Sequence, residues 1–95
     1  MADGNAEGIQ TARALFDAGN YASAERILST ILKNRPDDIS AGNLMSELLL
    51  KKGDAKSTLD FCDAWLARHP NAIGIHINRF RALAALNRKR KWQPV

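Results

Sequence analysis

An all-α chain built from repeated helical hairpins is predicted by three features: self-similarity at a fixed interval, apolar residues spaced along helix faces, and glycine and proline at matched places. Shifting the sequence by 34 residues lays Gly8 on Gly42, Leu15 on Leu49, Gly19 on Gly53, Leu32 on Leu66, Pro36 on Pro70 and Ile39 on Ile73. A fixed period of this size is the mark of a repeat architecture, in which each unit buries its apolar face only against its neighbours. A third copy begins at Ile73, where Leu49 maps onto Leu83 and Gly53 onto Asn87.

The pattern inside each copy is helical, and its punctuation divides it in two. Leu28, Ile31 and Leu32 recur on one helix face, as do Leu44 and Leu48, with Leu49 and Leu50 on the following turn. Gly19 and Gly53 stand where a helix should end, since glycine accepts the left-handed conformation of a C-terminal cap. Asn20 and Asp54 follow directly and suit the next N-cap. The second helix of each unit stops before Pro36 or Pro70, because the residue ahead of proline is pushed out of the helical region. Asp38 and Asn71 are placed to begin the next helix. Five helices are expected, at about 5–18, 21–34, 39–52, 55–68 and 73–87, with short connections that make consecutive helices antiparallel. The helical repeat domain then covers residues 1–87, with repeats at about 5–38 and 39–72 and a terminal helix, and residues 88–95 form a basic tail.

Composition narrows the function classes. The 95 residues are 45% hydrophobic and 25% charged, which suits one folded domain and leaves no room for a multidomain enzyme. No apolar run approaches the roughly 18–20 residues of a bilayer span, and the stretch from Met1 to Ile9 lacks the basic-then-apolar order of a secretory signal. The expected location is therefore the cytoplasm, and the lone Cys62, which cannot form an intrachain disulfide, gives no sign of an oxidising compartment. The net charge is +4, but Arg88, Lys89, Arg90 and Lys91 supply four of the fourteen basic residues. The ten that remain balance the ten acidic residues, so the basicity belongs to the tail.

Little in the chain suggests chemistry. Cys62 lies between Phe61 and Trp65 at the position of Leu28, which suits a buried structural thiol. His69 and His76 flank a proline turn without a third ligand at metal spacing, so no metal and no cofactor are expected. Asp60 and Asp63 read as solvated helix surface, and Asp37 and Asp38 as helix-start residues. Neither a phosphate-binding glycine loop nor a nucleophile elbow occurs, so catalysis is not expected. The basic run beside Trp92 could attract phosphates, but one run without a basic face on the domain reads as a solvated tail rather than a nucleic-acid site.

The 34-residue hairpin with glycine at its inner turn and proline at its end resembles the tetratricopeptide repeat, over about Asn5 to Asn87. Gly19, Tyr21, Ala24, Leu32 and Pro36 fill the family's turn glycine, following tyrosine, small contact residue, apolar residue and closing proline. Gly53, Asp54, Leu66 and Pro70 repeat the pattern. Departures occur at Gly8, Gly42 and His76, which replace the family's bulky first-helix residue, and at Ile31, Thr58 and Trp65, which replace small residues at helix crossings.

The resemblance implies hairpins stacked in a right-handed superhelix, two repeats plus a terminal helix, acting as a protein-binding adaptor or scaffold. Its concave groove would be lined by Ile9, Arg13 and Phe16, then Asn43, Glu47 and Leu50, then Ile77, Arg81 and Ala84. In that groove Arg13 and Arg81 would meet acidic groups, and Phe16, Leu50 and Ile77 would be apolar anchors. Glu47, between the two arginines, would either neutralise them in the free protein or select a basic ligand residue. The family's carboxylate clamp is excluded, because Ile9, Arg13, Glu47 and Ile77 stand where lysine and asparagine are needed. Two competing readings are an N-terminal repeat segment of a larger enzyme such as a glycosyltransferase or sulfotransferase, and a polyanion binder acting through the basic tail. Leu83 and Leu86 would meet a second helix that is missing, so the returning tail with Trp92, or self-association with another subunit, is expected to cover them.

Overall fold

The computed structural model describes residues 4–91, with side chains over 8–88. It holds five helices, α1 (Gly4–Asp17), α2 (Tyr21–Asn34), α3 (Ile39–Lys51), α4 (Ala55–Arg68) and α5 (Ile73–Lys91), and no strand among the described residues. The first four match the expected spans to within a residue or so. Helix α5 runs on past Asn87 through Arg88–Lys91, so the basic run is helical rather than tail. Arginine and lysine are good helix formers, they complement the helix dipole at this end, and no breaker precedes Pro94.

The inner turns explain the period. Gly19 and Gly53 take φ of 83° and 84°, the left-handed region that the expected caps require. At the first turn Asn20 N donates to Leu15 O at 2.8 Å and Gly19 N to Phe16 O at 3.0 Å. At the second, Asp54 N donates to Leu49 O at 3.1 Å and Gly53 N to Leu50 O at 2.9 Å. These paired bonds make both turns Schellman caps, which satisfy carbonyls left over at a helix end. The proline turns repeat likewise: Arg35 N donates to Ile31 O and Asp38 N to Arg35 O, and 34 residues on His69 N donates to Trp65 O and Ala72 N to His69 O.

The N-caps follow the expectation in part. Asp54 Oδ1 accepts from Ser57 N at 3.1 Å, and Asp38 Oδ1 from Ala41 N at 2.9 Å. Asn20 holds the cap position of α2 but its side chain makes no capping bond. Asn71 is not the cap of α5: that helix begins at Ile73, and Ala72, 34 residues after Asp38, stands directly ahead of it. An alanine there offers no side-chain acceptor, and only its backbone O accepts, from His76 N at 3.1 Å.

The described residues form two compact units that part inside α3, between Leu48 and Leu49. In the first, α1 packs on α2. Its core holds Ala12, Phe16, Ala24, Leu28, Ile31, Ala41, Leu44, Met45 and Leu48. Gly8 lets the helices approach closely, since a Cβ there would lie 3.0 Å from Ile31 Cδ1. In the second, α4 packs on α5, and Leu49, Ala55, Thr58, Cys62, Trp65, Ile75 and Ala82 are buried. The buried hydroxyls are satisfied locally: Ser46 Oγ donates to Asn43 O at 2.9 Å and Thr58 Oγ1 to Asp54 O at 2.8 Å.

Candidate functional site

The first-unit positions expected to line a groove come from α1 and α3. Arg13 Nη2 lies 3.6 Å from Glu47 Oε1, with both side chains partly solvated. The guanidinium also sits over the Phe16 ring, 5.5 Å from its centroid. Phe16 in turn tilts against Tyr21 with ring centroids 5.5 Å apart. Arg13 is thus oriented by an aromatic face below and a carboxylate beside it. A partly exposed pair at this distance contributes about 0–1 kcal/mol, so its consequence is orientation rather than stability. Glu47 pairs with Arg13 in this structure.

Phe16 is therefore not an anchor for a ligand. Only 7% of its surface is exposed, because the turn that brings Tyr21 back toward α1 closes over the ring. Its part is to support Arg13. Ile9 and Asn43 are half-buried, which leaves each some surface for contact.

The second unit carries the remaining positions. Ile77, Arg81 and Ala84 follow one another at four- and three-residue spacing along one side of α5. Ile77 is 47% exposed, Arg81 is exposed, and Leu50 and Ala84 are half-buried. Arg81 Nη1 reaches Asn78 Oδ1 at 3.5 Å, at the outer limit of a hydrogen bond.

Two features of this unit escaped the sequence reading. Asp63 is not simply solvated: its Oδ1 accepts from Arg79 Nε at 2.6 Å, joining α4 to α5. Phe80 is 71% exposed, although the same 34-residue shift places it on Ala12 and Ser46, both fully buried. That shift carried the signal for Phe80; nothing local carried it for the Asp63–Arg79 pair. Leu83 is exposed and Leu86 half-buried, so Leu83 stays uncovered among the described residues. Trp92, expected to fold back over them, lies outside the described residues.

The residues with chemical potential are occupied structurally. Cys62 is fully buried, and its thiol is pushed up from 9.0 to about 11 by that burial, then by the adjacent Asp63 charge, with Arg79 acting the other way. The thiol is protonated at neutral pH, the inert form. His76 Nε2 lies 2.7 Å from Pro70 O, and because a carbonyl only accepts, that nitrogen carries the proton. The His69 ring lies 5.3 Å from the Trp65 ring. Among the described residues no three His, Cys, Asp or Glu side chains gather as a metal would need. No described helix is long and apolar enough to cross a membrane.

Comparison with known families matches residues 4–48 to the tetratricopeptide repeat. Neither a curated protein nor a solved structure matches the chain. Such repeats are in general non-catalytic modules for protein interaction. The hairpin of α1 and α2, the Schellman turn at Gly19 and the close at Pro36 are the structural form of the matched segment, and residues 4–48 belong to the tetratricopeptide repeat family.

Proposed function

We propose that this chain is a non-catalytic adaptor that takes a segment of a partner protein along its first-helix surfaces. The carrying observation is Arg13, a cation held at the surface by the Phe16 ring and by Glu47 at 3.6 Å. A pre-oriented charge loses less freedom on binding than a mobile one, so a partner carboxylate that displaces Glu47 gains a defined contact. Ile9 and Asn43 in the first unit, and Ile77, Arg81, Ala84 and Leu50 in the second, supply apolar and polar contacts of the same kind. The bound segment accordingly carries acidic residues interspersed with apolar ones.

Peptides selected from a random display library against the whole chain test this reading. Arg13→Glu and Arg81→Glu should each weaken the selected peptides by about 1 kcal/mol or more, with the melting temperature nearly unchanged. Alanine at Arg88, Lys89, Arg90 and Lys91 should matter less at physiological salt. The opposite ranking, together with steep salt dependence, would replace this reading with a polyanion-binding one.

A further inference from the structure

Two ion pairs between helices are built differently. Arg79 Nε and Asp63 Oδ1 meet at 2.6 Å, a closed hydrogen bond from α5 to α4. Arg13 Nη2 and Glu47 Oε1 stand 3.6 Å apart, beyond the roughly 2.7–2.9 Å of a charge-assisted hydrogen bond, with 49% and 35% of the two side chains exposed. Attraction holds this second pair, and no shared proton fixes it. Moving the Glu47 carboxylate away therefore breaks no hydrogen bond between the two.

The two partners are also unequally supported. Without Glu47, Arg13 keeps its place, because its guanidinium lies 5.5 Å from the centroid of the Phe16 ring. That ring is itself fixed, only 7% exposed and tilted against Tyr21. The Glu47 carboxylate, in turn, stands where a ligand would arrive. Asn43 and Glu47 are one turn apart on α3, as Ile9 and Arg13 are on α1, so it sits among the side chains proposed to meet a partner. An acidic group that approaches Nη2 must take the position of Oε1, and the guanidinium exchanges one carboxylate for another.

We infer that Glu47 is a built-in competitor at Arg13: its carboxylate occupies the guanidinium edge that an Asp or Glu of a partner takes, and so weakens the binding of acidic segments. This rests on the reading of Arg13 as the cation that meets the partner, and adds that the affinity there is set from inside the chain. Loss of the Glu47 charge opens the site. An exposed pair of this length is weak, so the effect is a threshold of about two- to fivefold in affinity.

The test measures, by anisotropy on the whole chain, a short fluorescent peptide of alternating glutamate and leucine and its lysine counterpart. Glu47→Gln keeps the size of the side chain and removes its charge. It should tighten the glutamate peptide by about two- to fivefold, with the melting temperature nearly unchanged. The gain should vanish in the Arg13→Gln background, where no guanidinium is left to release. Asp17→Asn, at an exposed position one turn beyond Arg13 on α1, removes the same charge and should give a clearly smaller gain. No tightening by Glu47→Gln, or an equal gain from Asp17→Asn or in the Arg13→Gln background, would overturn the competitor; if Arg13→Gln still weakens the peptide, Arg13 stands as the binding cation. Weaker binding of the lysine peptide by Glu47→Gln, without tightening of the glutamate peptide, would make Glu47 a reader of basic residues, which also overturns the inference. If Arg13→Gln leaves the glutamate peptide unaffected, or if neither the natural chain nor Glu47→Gln binds it saturably up to about millimolar concentration, the reading of Arg13 fails and the competitor with it.

Discussion

Replacing Gly8 by alanine tests how closely α1 and α2 approach, because two effects of similar size oppose each other there. In a helix interior alanine is favoured over glycine by about 1 kcal/mol. Against that, the new Cβ would sit 3.0 Å from Ile31 Cδ1, 3.5 Å from Ile31 Cγ1 and 3.8 Å from Ile27 Cγ2. Carbon contacts are comfortable at about 3.5–4.0 Å, so only Cδ1 must move. Ile31 is 95% buried, the complement of its 5% exposure, and rotating its terminal methyl off a preferred well costs about 0.5–1.5 kcal/mol. Gly8→Ala should therefore be nearly neutral. Ile31→Val removes Cδ1 and by itself costs about 0.5–1.5 kcal/mol. In that background the remaining contacts are ordinary, and Gly8→Ala should stabilise by about 1 kcal/mol. The expected coupling is thus about 1 kcal/mol, or some 4–8 °C in melting temperature for a domain of this size. Urea and thermal unfolding followed by circular dichroism measure all four corners of the cycle. Additive effects, with Gly8→Ala stabilising the natural sequence by the full helix-propensity gain, would refute the close approach.

Two further outcomes follow from the caps and the buried thiol. Asp38→Ala and Asp54→Ala each lose a side-chain bond to a helix N–H and should cost about 1 kcal/mol, whereas Asn20→Ala, which loses none, should cost clearly less in the same unfolding assay. Folding raises the Cys62 thiol from 9.0 to about 11, so the folded state holds its proton where the unfolded chain releases it. The stability tied to that proton is complete below pH 9.0 and is lost as pH rises through about 11, so the fall across this window should be shallower in Cys62→Ala. At neutral pH, thiol reagents should label Cys62 slowly in the folded chain and fast in denaturant.

The sequence by itself determined the secondary structure and its period. Gly19 and Gly53 end helices because their backbones take positive φ, Pro36 and Pro70 because of the ring's clash with the preceding residue, and both causes act within a few residues. Each is local and so legible without a fold, and the tetratricopeptide match over residues 4–48 agrees with them. The end of α5 was the exception. A basic run without a breaker is equally readable as tail or helix, and helix was adopted through Lys91.

The tertiary structure decided what the side chains do. Phe16 and Ile9 share a sequence-level strip, yet the returning Tyr21 closes over Phe16 and leaves Ile9 half-buried. Asp63 and Arg79 are 16 residues apart with no sequence pattern linking them, and they meet only because of the rotation at which α4 packs on α5. Phe80 shows the same limit from the other side. Its spacing marks a helix face, but whether that face is core or surface depends on whether a neighbouring helix is there to cover it, as α2 covers the equivalent face of α1. Spacing sets the direction of a side chain relative to its own helix axis; which neighbour lies in that direction is fixed by packing between helices, over distances that no local rule spans.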